Sequence, residues 1–286
     1  MAWARYSQPL LVMDMRNSPE LPRHFRTTSD SLPLNVNITG LSELHIAGSG
    51  QFSRASLEKA ARRLNVKRFT VIDLRQESHG LLNGNAVSWY GPRNAENAGK
   101  TPGEIENDQS RLLVDLGSQE IAVVNKILKK SENGEIAAVK PAEYMVHQTT
   151  TEEELVTGMG HKYKRIFVQD YHAPTNQQVD RFIAFVRNLP PNQWVYLHCR
   201  AGIGRTTVFM VMYDMMRNAK SVSLRDILAR QKALGGKDLT QLPARNHFKY
   251  QLSVDRLNFI KRFYEYAQTN QDHFQTSWSQ WLEKSD

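Results

Sequence analysis

A chain of 286 residues, 40% hydrophobic and 9% aromatic, is long enough for one large domain with an insert and apolar enough for a sizeable core. Its single cysteine excludes an intramolecular disulfide framework and any site built on two thiolates, and no stretch approaches the roughly 20 apolar residues of a membrane span. The net charge of +8 points to an anionic partner: nucleic acid, which no recognised binding motif supports here, anionic lipid or a polyphosphorylated small molecule.

The start, Met1 to Met13, carries Arg5 and only a short apolar run from Leu10, so it reads poorly as a signal peptide. Ser53 to Leu64 reads as a helix, with Leu57, Ala60, Ala61 and Leu64 at helical spacing and Ser53 as the cap. Arg68 to Leu74 is rich in β-branched residues and reads as a strand. Asn83-Gly84 and Gly91-Pro92 are turn signals. Composition shifts between about Pro92 and Ala142. A helical stretch from Ile105 to Leu116 is followed by strand-like pieces at Ile121 to Val124 and Glu135 to Val139, joined by an Asn133-Gly134 turn. This is the pattern of a small, partly β insert over residues 92–142. The body is then residues 21–91 with 143–286, and residues 1–20 form an N-terminal extension.

Regular alternation returns with a short helix at Thr151 to Met159 and a short strand at Arg165 to Val168. Thr175 to Leu189 is a helix with a Thr175/Gln178 capping box, stopped by Pro190-Pro191. Trp194 to His198 is nearly all apolar, as in a strand covered on both faces. Arg205 to Met216 is apolar almost all round and reads as a buried helix. Ser223 to Leu234, ended by Gly235-Gly236, and Ser253 to Ala267 are further helices. Alternating strands and helices predict an α/β fold with a mainly parallel sheet.

The chemistry concentrates between the buried strand and the buried helix, in His198-Cys199-Arg200-Ala201-Gly202-Ile203-Gly204-Arg205-Thr206-Thr207. Backbone N–H groups of Arg200 to Gly204 then lie at a helix N-terminus, where they can surround an anion. Gly202 and Gly204 permit the backbone angles of such a cradle. The same positive end favours Cys199 as thiolate, its reactive form. Arg205 follows the cysteine by six residues, and its planar fork can hold two equatorial oxygens of a phosphoryl group. Thr206 can donate its hydroxyl to the Cys199 sulfur. An acid is needed to protonate the leaving oxygen and a base to activate water. Asp170 is the candidate, opening a proline-containing loop that runs to Pro174 just before the capped helix. The nine histidines show no metal-ligand spacing with carboxylates or thiols, so neither a metal nor a cofactor is expected.

The string matches the Cys-x5-Arg signature of the protein tyrosine phosphatase superfamily, with its preceding His198 and following Thr206. Outside it, the chain closely resembles the protein-tyrosine-phosphatase-like inositol polyphosphatases of bacteria, or cysteine phytases, from about Phe25 to Leu282. The segments that carry the resemblance include Phe25-Arg26-Thr27, His45 to Ser53, Asp73 to Gly80, Ala86 to Gly91, Asp180-Arg181-Phe182, Arg230-Gln231 with Gly235-Gly236, and Trp278 with Trp281-Leu282. It implies a phosphatase core with a small β-barrel-like insert, and stepwise removal of phosphates from phytate through a phosphocysteine without a metal. It maps the nucleophile onto Cys199, the phosphate-binding arginine onto Arg205 and the general acid onto Asp170. It also implies substrate contacts from Arg26 and Lys249, with Lys237 a further basic candidate, and Arg200 adding charge at the pocket mouth. Tyr171 stands where the family often has a histidine, with His172 one residue later. Export from a bacterial cell, or delivery as a secreted effector, fits the resemblance. A phosphotyrosine or phosphoinositide phosphatase would use the same residues. A phosphate-recognition module with idle chemistry is opposed by the presence of Cys199, Asp170 and Arg205 together.

Overall fold

Runs of β-branched and aromatic residues form the strands, and capped amphipathic runs the helices, of the computed structural model, which describes residues 9–285. Arg5 and the rest of the opening stretch to Gln8, read above for a leader, lie outside the described residues. In chain order the elements are β1 (Leu10–Met15), β2 (Arg26–Thr27), β3 (Ile46–Ser49), α1 (Arg54–Leu64), β4 (Phe69–Asp73), β5 (His79–Leu82), β6 (Asn85–Tyr90) and α2 (Pro102–Gly117). There follow β7 (Ile121–Lys130), β8 (Ile136–Met145), β9 (Thr149–Thr150), α3 (Glu152–Gly158), β10 (Lys162–Arg165), α4 (Asn176–Arg187) and β11 (Trp194–His198). The chain ends with α5 (Arg205–Asn218), α6 (Leu224–Ala233), α7 (Tyr250–Thr269) and α8 (Trp278–Ser285).

The central sheet runs β10-β4-β11-β3-β2, parallel except for β2. Its period-2 alternation sends Ile46, Ile72, Val195 and Leu197 into a core with Val179 and Phe182 of α4 and Val208 and Phe209 of α5. The opposite face sends Ala47, Val71 and Tyr196 against Leu57 and Ala60 of α1 and Val156 of α3. Each large apolar side chain buried this way contributes about 1.5–3 kcal/mol. β11 is therefore apolar on both sides because helices cover both sides. Capping boxes start α1 at Ser53 and α4 at Thr175.

β10 lies three residues before the strand expected at Arg165 to Val168. It is the edge of the sheet, so Lys162 and Lys164 are tolerated there, and an apolar run is not the mark of an edge strand. Ile166 to Val168 are buried, but as the segment that leads from the sheet to Asp170.

The second sheet has the order β8-β7-β1-β6-β5-β9. The two strands of the Asn133-Gly134 hairpin are each ten residues, longer than their apolar portions, because one face carries lysines to solvent. In place of the expected barrel-like insert, β7 and β8 join a six-stranded sheet through β1, which pairs with β6 and β7. The β1–β6 register slips between Met13 and Met15, leaving Asp14 at a bulge. Bulges re-aim side chains, and this one turns Asp14 into the protein. No helix among the described residues is long and apolar enough to cross a membrane.

Candidate active site

β11 ends at His198, and the chain turns through Cys199 to Gly204 into α5, whose first residue is Arg205. The Cys199 Sγ accepts from the Gly202 N–H at 3.3 Å and from the Thr206 hydroxyl at 3.2 Å. Gly202 has φ +76°, and a Cβ there would stand 2.2 Å from the Gly50 nitrogen. Only glycine satisfies both conditions. The loop is pinned from behind by the Gln51 N–H on the Arg200 carbonyl.

Arg26, expected to touch substrate, is 2% exposed and lies beneath the loop. Its Nη1 donates to the Gly202 carbonyl at 2.9 Å and its Nη2 to the Thr207 hydroxyl at 3.1 Å. It does not line the cavity above Cys199. The short strand β2 is held against β3 deep in the sheet, so its arginine supports the loop instead of reaching past it.

The guanidinium of Arg205 is held from one side, which fixes the edge it can offer. Its Nη1 and Nη2 are both held by the Glu77 carboxylate, at 2.6 and 2.9 Å, and Nη1 also donates to the Leu74 and Val168 carbonyls. Nε has no partner. The edge free for an anion is thus Nε with Nη2, the latter 3.4 Å from Asp170 Oδ1. Burial opposes the charge of Glu77, but Arg205 and Arg75 outweigh it and hold Glu77 well below the usual carboxylate range. Arg75 bridges Glu77 at 2.8 Å and Asp14 at 2.9 Å, all three buried. Asp14 in turn accepts from Arg200 Nε at 2.7 Å. Burial alone would lower the Arg200 value; Asp14 reverses this and raises it.

Asp170 accepts from the Asn94 amide at 3.1 Å and from the Tyr171 N–H at 3.0 Å. Asp170 and Cys199 line one cavity of about 260 Å³, with Tyr171, Arg200, Ala201, Ile203 and Gly204. Its remaining wall is basic: Lys130, Lys237, Lys249 and Arg256, with Ser253 between the last two. Burial, then neighbouring Arg200, pushes Lys130 down to about 8. Burial, then Arg256 and Lys249, does the same to Lys237. Burial also lowers Lys249 and Arg256. The Lys249 ammonium stands 4.3 Å from the centre of the Tyr171 ring, a cation–π contact that positions both.

His198, grouped with the catalytic residues above, points inward. Its Nε2 meets Glu152 at 2.7 Å, and Glu152 also accepts from Gln51 at 2.6 Å. Asp73, His79 and Glu152 bring ligand-type atoms within 4.8 Å of one another, a closeness that linear spacing concealed. Asp73 is engaged by Tyr163 and Arg165, and Glu152 by His198 and Gln51. The trio reads as a buried hydrogen-bond network behind the loop.

Sequence reasoning missed Asp14, Glu77, Asn94, Lys130, Ser253 and Arg256. For two of them a signal existed. Lys249, Ser253 and Arg256 are spaced i, i+4, i+7, one face of the start of α7. Lys130 arrives on the far end of a ten-residue strand, with no local mark.

Comparison with known proteins shows the family and the fold. The family described as PTP-like phytase, inositol hexakisphosphate, matches residues 72–217. The chain is 31% identical over 287 residues to effector protein hopD2 of Pseudomonas syringae pv. tomato, covering 97% of this chain and 60% of that one. The structure superposes on the PTP-like myo-inositol phosphatase of Mitsuokella multacida, solved with myo-inositol-(1,3,4,5)-tetrakisphosphate, with a TM-score of 0.87 and 35% identity over 99% of this chain. It spans half of that chain. A PTP-like phytase from Bdellovibrio bacteriovorus gives a TM-score of 0.77 and 33% identity over 98% of both chains.

Proposed function

The chain belongs to the PTP-like phytase family, and from that premise we propose that it hydrolyses myo-inositol polyphosphates, phytate among them, one phosphate at a time through a phosphocysteine. The observation that carries this reading is the cavity itself: one thiol at the floor, one carboxylate in the wall, and five cationic side chains (Lys130, Arg200, Lys237, Lys249 and Arg256) around them. A single phosphomonoester needs far less positive charge than that. A ring bearing several phosphates uses it.

In this reading the Cys199 sulfur attacks phosphorus and the bond to the inositol oxygen breaks. Loop N–H groups and the Nε/Nη2 edge of Arg205 hold the equatorial oxygens where charge is spread in the transition state. Asp170 gives its proton to the leaving oxygen, then takes one from the water that attacks the phosphocysteine. The Thr206 hydroxyl, 3.2 Å from Sγ, stabilises the thiolate as it leaves. No step draws on a metal or cofactor. Arg26, Arg75, Glu77, His198 and Glu152 act by positioning.

Tyr171, edge-on to Phe248 at 5.6 Å, gives the phosphotyrosine alternative its one supporting observation, an aromatic wall. The deciding experiment measures phosphate release from phytate, a phosphotyrosine peptide and a phosphoinositide side by side. Phytate is expected to give the highest kcat/KM. A clear preference for either other substrate sinks the phytase reading and leaves the cysteine chemistry standing.

A further inference from the structure

Beside the catalytic cavity lies a larger groove of about 720 Å³ on the six-stranded sheet. That size is ordinary for a small-molecule cleft, whereas the catalytic cavity is smaller than most. Met13, Val124 and Ile127 give the groove an apolar floor, and Arg16, Lys126 and Lys140 give it a basic rim. Lys130 and Arg200 line both spaces, so the two are neighbours that share these two side chains. The acidic residue in the groove wall is Asp14, and its carboxylate is already held by Arg75 and Arg200.

One feature of the rim is unfavourable for the fold. Lys126 and Lys140 are direct cross-strand partners on β7 and β8, and both are exposed. Like charges placed opposite one another destabilise a ladder. Among the described residues no carboxylate pairs with Lys126, Lys140 or Arg16 to relieve it. An anion lying between the two ammonium groups would relieve it. The apolar floor seats the ring carbons of a compact ligand, and the rim meets charges around its edge.

We propose that this groove is a second binding site for a soluble polyphosphorylated small molecule, held by Lys126 and Lys140 and adjoining the catalytic cavity at Lys130 and Arg200. The choice of ligand class rests on the phytase reading; the charge and shape of the groove do not. Because Lys130 and Arg200 face both spaces, a polyanion in the groove draws on the same positive charge as substrate in the cavity. The two sites therefore weaken each other, and by reciprocity they do so equally.

The test uses the lone cysteine. Carboxymethylation of Cys199 in the full chain blocks the catalytic floor, and inositol hexakisphosphate binding is then measured by calorimetry. One equivalent is expected to bind still. Lys140→Glu should weaken that binding roughly tenfold or more, the worth of one charge-assisted contact, while melting temperature stays level or rises, since it turns a repulsive pair into an attractive one. Lys126→Ala with Lys140→Ala repeats the test without adding a negative charge. No binding to the alkylated chain, or unchanged affinity in both variants, overturns the proposal. Binding to phosphoinositide vesicles without binding to free inositol hexakisphosphate also overturns it, in favour of a membrane surface. Turnover of phytate by the unmodified chain judges the phytase reading separately, so either idea can fail while the other stands.

Discussion

Glu77 grips Arg205 through both carboxylate oxygens, at 2.6 and 2.9 Å, where neither side chain reaches water. Arg205 is therefore set in its rotamer by Glu77, and only one edge of its guanidinium is left to meet an anion. Glu77→Gln keeps the shape and removes the charge, leaving Arg205 and Arg75 uncompensated. Loss of one partner of a buried pair costs about 3–5 kcal/mol, so the melting temperature should fall clearly, and affinity for phosphate should change with it. The pH dependence supplies a second check. Glu77 sits well below its usual 4.5, so its contribution is complete above that value and is lost as pH falls below it. Between about pH 5 and 3 the parent chain should lose more stability than Glu77→Gln. Parallel acid-unfolding curves would refute the assignment.

Lys130 and Lys237 make affinity for polyanions sensitive to alkaline pH. Both are pushed down to about 8, so the empty cavity loses positive charge as pH rises through that value. A bound polyanion favours the charged form, and binding near pH 8 to 9 should take up protons. Each unit of pKa recovered corresponds to about tenfold in affinity. KM for phytate should therefore climb above pH 8. Lys237→Arg, charged throughout, should flatten the rise; an equally steep rise in that variant would exclude Lys237 from the effect.

Cys199 is the lone thiol, so labelling and activity should coincide. One equivalent of a thiol reagent should abolish turnover, and phosphate should protect. Cys199→Ser should be inactive while still binding substrate. Substantial turnover by that variant rules out a phosphocysteine.

In the proposed mechanism Asp170 acts as an acid and Cys199 as a thiolate, opposite requirements for protonation, so turnover should follow a bell-shaped pH profile. Asp170→Asn should cut phytate turnover by about 10²–10⁴-fold. An aryl phosphate leaves without a proton, and its burst phase should suffer far less. Equal losses on both substrates would remove Asp170 from the role of general acid, since general damage to the site harms both alike.

The catalytic loop was legible because its chemistry is contiguous: Cys199, Gly202, Arg205 and Thr206 fall within eight residues. The sheet that carries it was legible from apolar β4 and β11 between amphipathic helices. The supporting shell was not. Asp14 reaches Arg200 only through a bulge in a strand 186 positions away, and a bulge leaves no compositional trace. The resemblance supplied Arg26 but misjudged what it touches, because burial is set by the partner strand and not by the residue. β10 escaped because an edge strand need not be apolar.

The hydrogen bonds that shape the loop span very long stretches of chain: 186 positions from Asp14 to Arg200, 176 from Arg26 to Gly202 and 128 from Glu77 to Arg205. Contacts of that separation form late, since each must first close a large loop. Helices can appear early in such a chain, but the anion cradle cannot, for its floor, brace and counter-charge come from three distant regions. The cradle should then be completed late in folding, and phosphate binding to it should report completed folding more faithfully than helix content does.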